Sequence, residues 1–175
     1  GMNRVDADRV ADLAAGRSAE TKAKLLDGTT LAVQQQGIAG VSARTIAAAA
    51  GVNQALIFYH FGSVDELLAA ACLRNTRQRV EAYRDRLGAV RSLRELLAAG
   101  LELHSEERAQ GNVAVLAQLL AAAQVDDRLA AATAQSLELW VSEIESVLDR
   151  LLAGTPLAGM ADTTALARAV SAALA

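Results

Sequence analysis

A guanidinium, two amides, a phenol and an imidazole fall close together in one short stretch, as Arg44, Asn53, Gln54, Tyr59 and His60. Side chains of these types donate to phosphate oxygens and to base edges in a DNA major groove. Arg44 has the fork geometry to pair with guanine O6 and N7, and Gln54 can pair bidentately with adenine, so these two are expected to specify a base sequence. Tyr59 and His60 offer a hydroxyl and an imidazole, which suit phosphate oxygens and would position the chain. Catalytic chemistry has far less to stand on. The two histidines, His60 and His104, are distant in sequence, Cys72 lies on an apolar stripe, and no HExxH, GxSxG, CxxC or glycine-rich phosphate loop occurs. No catalytic residue, metal ligand set or cofactor is therefore assigned, and an enzyme is not expected.

The elements that must hold the reading residues are visible around them. Ser42 can cap a first short helix, an alanine run sustains it, and Gly51 can take the left-handed conformation that ends it. Asn53 then caps a second helix. Ile46 and Ala50 on the first, Val52 in the turn, and Ile57 with Phe61 on the second can bury against each other at helical spacing. The stretch from Ser42 to Phe61 therefore reads as a helix-turn-helix with its polar residues facing outward. An ordinary αα-corner with a solvated polar face fits the same pattern.

From Thr21 to Leu68 the chain resembles the N-terminal DNA-binding domain of the TetR family of transcriptional repressors. The resemblance rests on Leu25-Leu26 with Val33 and Gly37, on Val41 to Ala47, on Ala49-Ala50-Gly51-Val52-Asn53, on Ile57-Phe58-Tyr59-His60-Phe61, and on Ser63 with Glu66-Leu67-Leu68. It implies a three-helix head joined to a fourth helix, and a start of helix 1 near the DNA backbone, where Arg17, Lys22 and Lys24 become phosphate contacts. The candidate DNA-facing set is thus Arg44, Asn53, Gln54, Ala55, Tyr59 and His60, with Ser42 and Lys22. Departures from the family pattern are Gln54 and Val64, where lysines are frequent, Phe58 in place of tyrosine, and Leu56 where a small or hydroxyl residue is common.

Length and composition agree with an all-α chain. It has 175 residues, 53% of them hydrophobic, a single proline and a single cysteine. There is material for a sizeable core, no basis for an internal disulfide framework, and no uninterrupted apolar run of membrane-spanning length, so a cytoplasmic protein without a membrane partner is expected. The net charge of −3 is unevenly spread, with +1 over residues 1–64 and −4 over residues 65–175. An acidic body with a small basic head is compatible with DNA binding. Few cations mean little counterion release, which leaves base contacts and dimerisation to supply more of the affinity.

In chain order, residues 1–16 form a short leading segment, with a marginal helix from Asn3 to Ala15 broken at Gly16. Ser18 caps helix 1, which runs to about Gln36, and Gly28 inside it signals close packing. The head is placed at residues 17–63 and the body at 64–175. Ser63 with Glu66 and Ser92 with Glu95 make capping boxes for helices 4 and 5. Helix 6 turns Val113, Leu116, Leu119, Leu120 and Ala123 inward. Helix 7 starts near Asp126 with a stripe of Leu129, Thr133, Leu137, Trp140, Ile144, Val147 and Leu151. Asp162 caps helix 8, whose Leu166, Val170 and Leu174 are in register, and the family usually adds a further helix that completes a dimer interface.

The resemblance implies a helical-bundle body that binds a small lipophilic effector and dimerises. Its expected lining is Leu103, His104, Leu116, Leu120 and Trp140, with Glu102 and Gln118 as polar neighbours, although an apolar stripe is also what plain core looks like. The expected function is that of a repressor that binds a double-stranded, palindromic operator as a homodimer and leaves it when the effector binds. A ligand-independent DNA-binding dimer and a helical interaction module with a weakened head are the alternatives.

Overall fold

The computed structural model describes residues 3–160 and 162–173. These residues form helices α1 (Arg4–Gln36), α2 (Ala43–Ala50), α3 (Ala55–Phe61), α4 (Val64–Gly88), α5 (Leu93–Ala109), α6 (Asn112–Ala123), α7 (Asp127–Leu152) and α8 (Thr163–Ala173), with a 3-10 turn at Ile38–Gly40 and no strand among them. The chain divides into two compact units, Gly1–Ala71 and Cys72–Ala175, the division falling within α4.

In the first unit, α1 contradicts the expected break at Gly16. It is one helix of 33 residues, and Ser18 lies inside it rather than capping it. The reason is that helix nucleation is the costly step. Once Leu25, Gly28, Thr29, Ala32 and Val33 have buried one face of the C-terminal half, extending the helix backwards costs only propagation. A single glycine then adds about 1 kcal/mol, which is not enough to stop it. The leading half packs on little, with Val5, Val10 and Leu13 all more than half exposed.

The core of this unit joins Leu25, Ala32, Ile46, Ala47, Ile57 and Leu67. Gly28 is required where α1 meets α2. A Cβ there would lie 2.7 Å from both the Cβ and the backbone nitrogen of Ala50, so the two helices pass at a distance that only glycine permits.

In the second unit, Tyr83 and Leu87 of α4, Leu96 of α5, Val141, Ile144, Val147 and Leu148 of α7, and Ala167 of α8 form a core, with Val90 from the connecting turn. Arg150 of α7 closes the end of α4, donating to the carbonyl oxygens of Val90 at 2.7 Å and Leu87 at 3.0 Å. The starts of α4, α5, α7 and α8 carry side-chain caps. Ser63 accepts from the Glu66 N–H, Ser92 from that of Glu95, Asp126 from those of Arg128 and Leu129, and Asp162 from that of Ala165. At Ser92 the box closes one residue early, because the Glu95 carboxylate accepts from the Arg91 N–H at 2.6 Å.

Two inward assignments need correction. Leu120 is 47% exposed, leaving Leu119 as the buried leucine of α6, and Leu137 of α7 is exposed while Ser136 beside it is buried. α6 buries only Leu119, and α7 turns Ser136 rather than Leu137 to the core, so apolar periodicity by itself misplaces part of the buried stripe. Leu174 lies outside the described residues. No single helix among the described residues is long and apolar enough to cross a membrane.

Candidate nucleic-acid interface

Local chemistry fixes the two short helices of the head at both ends. Ser42 is the N-cap of α2, and the box is reciprocal: its hydroxyl accepts from the Thr45 N–H at 3.2 Å, while the Thr45 hydroxyl accepts from the Ser42 N–H at 2.9 Å. Threonine replaces the glutamate or glutamine usual at that position. Gly51 sits in the left-handed region with φ +68°. The N–H of Val52 then reaches back to the Ala47 carbonyl at 3.1 Å. This closure directs the chain into α3.

Asn53 caps α3 through its side chain, its Oδ1 accepting from the Ala55 N–H at 2.8 Å. The residue immediately before the helix is Gln54, whose backbone is already helical and whose own side chain makes no capping bond. Asn53 therefore holds the turn and Gln54 is left to project from it.

Ile46 and Ile57 are fully buried and tie the two helices to the core, so the opposite faces are set rigidly outward. On α3 and at the residue before it, Gln54, Ala55, Phe58 and Tyr59 are exposed, two pairs at i, i+4 that make one face. Ser42 and Arg44 are exposed at the start of α2, and Asn53 is exposed in the turn. Tyr59 is 81% exposed. His60 differs from its expected outward position. It is half-buried, its ring meeting that of Tyr59 edge-on with centroids 4.8 Å apart. One turn of α3 cannot present three consecutive residues to one side, and His60 follows Phe61 toward the core flank.

Phe58, 52% exposed, belongs to the outward face and was missed as a candidate. The spacing of four from Gln54 was the signal that could have found it. Lys22 is exposed on α1, and Lys24 forms an ion pair with Glu20 at 3.5 Å. These cations lie well inside α1 rather than at its start, because the helix continues through Gly16.

In the second unit the residues expected to line an effector site differ in exposure. Leu103 and Trp140 are half-buried against the core, and the Trp140 ring lies 5.9 Å from that of Tyr83. His104 and Leu116 are half-buried and Leu120 is exposed. An open groove of about 390 Å³ lies elsewhere, between α4 and α7, lined by Leu73, Arg77, Ala134, Gln135, Glu138 and Leu139. None of the five expected residues lines it.

Charged groups in this unit are largely engaged with one another. The Tyr83 hydroxyl donates to Glu106 at 2.9 Å, and the Arg86 guanidinium lies over the Tyr83 ring while pairing with Glu102 and Glu106. Burial, the bond to Glu106 and the nearby carboxylates push the Tyr83 phenol up to about 12. The bonds from Arg86 and Tyr83 hold the Glu106 carboxyl below its ordinary range. Glu107 is buried with Arg79 at 3.1 Å. Its burial outweighs the opposing pull of Arg79 and Asn112, so its pKa lies above the ordinary value. Among the described residues no three or more His, Cys, Asp or Glu side chains come together as a metal site would need.

Two short helices crossing at a glycine turn, the second presenting a solvent-facing polar edge, define a helix-turn-helix protein. The profile of bacterial regulatory proteins, tetR family, matches residues 25–71, so the head is similar to that family's DNA-binding domain. HTH-type transcriptional regulators of Mycobacterium tuberculosis and Mycobacterium bovis are 30% identical to it over 113 residues, or 65% of this chain. The chain spans 58% of the length of these relatives. A solved structure of a TetR-family transcriptional regulator from Rhodococcus sp. superposes with a TM-score of 0.73 at 28% identity, covering 89% of this chain and 84% of that one. Multidrug binding protein EbrR, solved with proflavin, gives a TM-score of 0.60 at 25% identity, covering 88% of this chain and 84% of its own.

Proposed function

We propose that this chain is a DNA-binding transcriptional regulator that represses from a palindromic operator as a homodimer. The observation that carries the reading is the outward edge of the head. Arg44, Gln54, Ala55 and Tyr59 are exposed on helices whose inner residues, Ile46 and Ile57, are completely buried. Arg44 and Gln54 read bases, while Tyr59, His60, Ser42 and Lys22 hold phosphates and Asn53 keeps the turn. α8, with Leu166 exposed among alanines, supplies part of the dimer face. Two heads then sit about 34 to 36 Å apart, or a longer helical repeat, on one side of the duplex. The regulator works in the cytoplasm.

A small effector releases the DNA. Support for this part comes from the likeness to EbrR, a multidrug binding protein that holds proflavin.

Selection of bound duplexes from a random pool tests the reading, with a two-fold symmetric sequence as the expected product. On that operator Arg44→Ala is expected to lose about 1 to 3 kcal/mol and much less on random DNA, relaxing preference at one base pair per half-site. Equal losses on both kinds of DNA would make Arg44 a backbone contact, and recovery of no common sequence would remove the regulator reading.

A further inference from the structure

We infer that the groove between α4 and α7 is the effector site and that its ligand is an amphipathic anion, an apolar body ending in a carboxylate or a similar acid. The inference rests on the effector-responsive reading above and adds to it a place and a ligand class.

The groove's volume of about 390 Å³ falls in the range of small-molecule sites. Leu73 of α4 with Ala134 and Leu139 of α7 give it apolar walls, which favour a hydrocarbon or aromatic body. Its charges are not balanced. Glu138 is already held by Arg168 of α8, whereas Arg77 makes no hydrogen bond or ion pair among the described residues. Gln135 adds an amide donor to the lining. The net offering is a free guanidinium, a neutralised carboxylate and an amide around an apolar floor.

A guanidinium binds a carboxylate through two parallel N–H donors and costs little to recruit when no internal partner must be displaced. A cationic ligand would meet Arg77 as a like charge and would have to compete with Arg168 for Glu138. A neutral ligand would use only the apolar walls.

Three probes with one apolar body separate these cases: decanoate, decanol and decyltrimethylammonium, titrated calorimetrically into the full chain. Decanoate is expected to bind at one site per chain and at least about tenfold more tightly than the other two, since a hydrogen-bonded charge pair commonly carries that difference. Arg77→Gln should remove the preference, and Leu139→Asp should weaken all three. Arg94→Gln, a change of the same kind outside the groove, should leave every value unaltered. Because Arg77 is exposed, its variant should melt with the parent, and thermal unfolding followed by circular dichroism checks this.

The proposal is overturned if the three probes bind alike, or if Arg77→Gln leaves decanoate binding intact. It is also overturned if sedimentation shows Arg77→Gln shifting a monomer–dimer equilibrium, since the groove then belongs to a second copy of the chain. DNA selection from the random pool is independent of these titrations. DNA binding without decanoate binding removes the groove alone, while decanoate binding without DNA binding removes the regulator reading and leaves the groove.

Discussion

The two units have cores of the same material and opposite borders. Around the body's core the charged side chains are largely committed inside the molecule. Arg79 pairs with Glu107, Arg84 with Glu81 and Glu143, Arg86 with Glu102 and Glu106, Arg168 with Glu138, and Arg150 caps α4. At the head's outward edge the opposite holds. Arg44 and Gln54 make no side-chain hydrogen bond or ion pair among the described residues, and Tyr59 has only its edge contact with His60. A polar group that is already satisfied has little left to offer a partner, whereas one that faces water exchanges solvent for ligand at small cost. The head's stability must then come almost wholly from its apolar packing and its caps.

That contrast predicts the largest effect at the head's centre. Ile57→Ala should cost about 2 to 5 kcal/mol, because a fully buried side chain is removed from the head's apolar core. Chemical denaturation should show this as loss of the transition that includes α2 and α3, with Trp140 emission in the body reporting whether the second unit melts separately. Equal stability in parent and variant would mean that the head's packing is not what holds it.

Gly28→Ala is expected to cost about 1 to 3 kcal/mol, even though alanine is the better helix former. The added methyl would stand 2.7 Å from Ala50 backbone, and backbone cannot rotate aside as a side chain can. A gain in melting temperature would show that α1 and α2 do not pass this closely.

The body's committed polar groups should appear in titration rather than in melting. With Tyr59→Phe in place, the remaining tyrosine, Tyr83, should ionise at about 12 in ultraviolet absorbance. An acid whose pKa is raised by folding contributes stability below its unfolded value and loses it as pH rises through the folded one. The body should therefore weaken between about pH 10 and 12. Ionisation of Tyr83 near 10 would mean that neither its burial nor its bond to Glu106 persists in solution.

Glu107 gives the smallest effect, and the same rule sets its sign. Its folded pKa is raised chiefly by burial, so its contribution is fully present below the ordinary carboxylate range and fades as pH rises through the higher folded value. Glu107→Gln imitates the protonated form and should flatten that part of the stability curve, measured by urea melts from acid to neutral pH. A steeper curve in the variant would show that the pairing with Arg79 outweighs burial.

Much of the fold was legible because its signals are local. The caps at Ser42, Asn53, Ser63, Ser92 and Asp162, and the stop at Gly51, each depend on residues within three or four positions. What could not be read depends on partners distant in sequence. Gly16 looks like a breaker until the packed half of α1 supplies the nucleus, and Leu120 looks buried until α6 is seen to bury only Leu119. Within the candidate site, Ser42, Arg44, Asn53, Gln54, Ala55 and Tyr59 stand exposed, but His60 turns half inward and Phe58 takes a place on the outer face. The α4–α7 groove was not legible at all, since Arg77 and Glu138 are separated by most of the body's sequence, and Glu138 is neutralised by a residue on yet another helix.

The unbroken α1 also has a kinetic consequence. Its leading turns have intrahelical hydrogen bonds but almost no tertiary packing, so they can open without disturbing the core. Opening should proceed as a zipper from Arg4 inward, each step releasing one propagation increment rather than a whole cooperative unit. Amide hydrogen exchange along α1 would then form a ramp, fast near Arg4, with a marked step in protection where Leu25 enters the core. A single helix would thus carry two exchange regimes, one set by helix propensity and the other by the unfolding of the head.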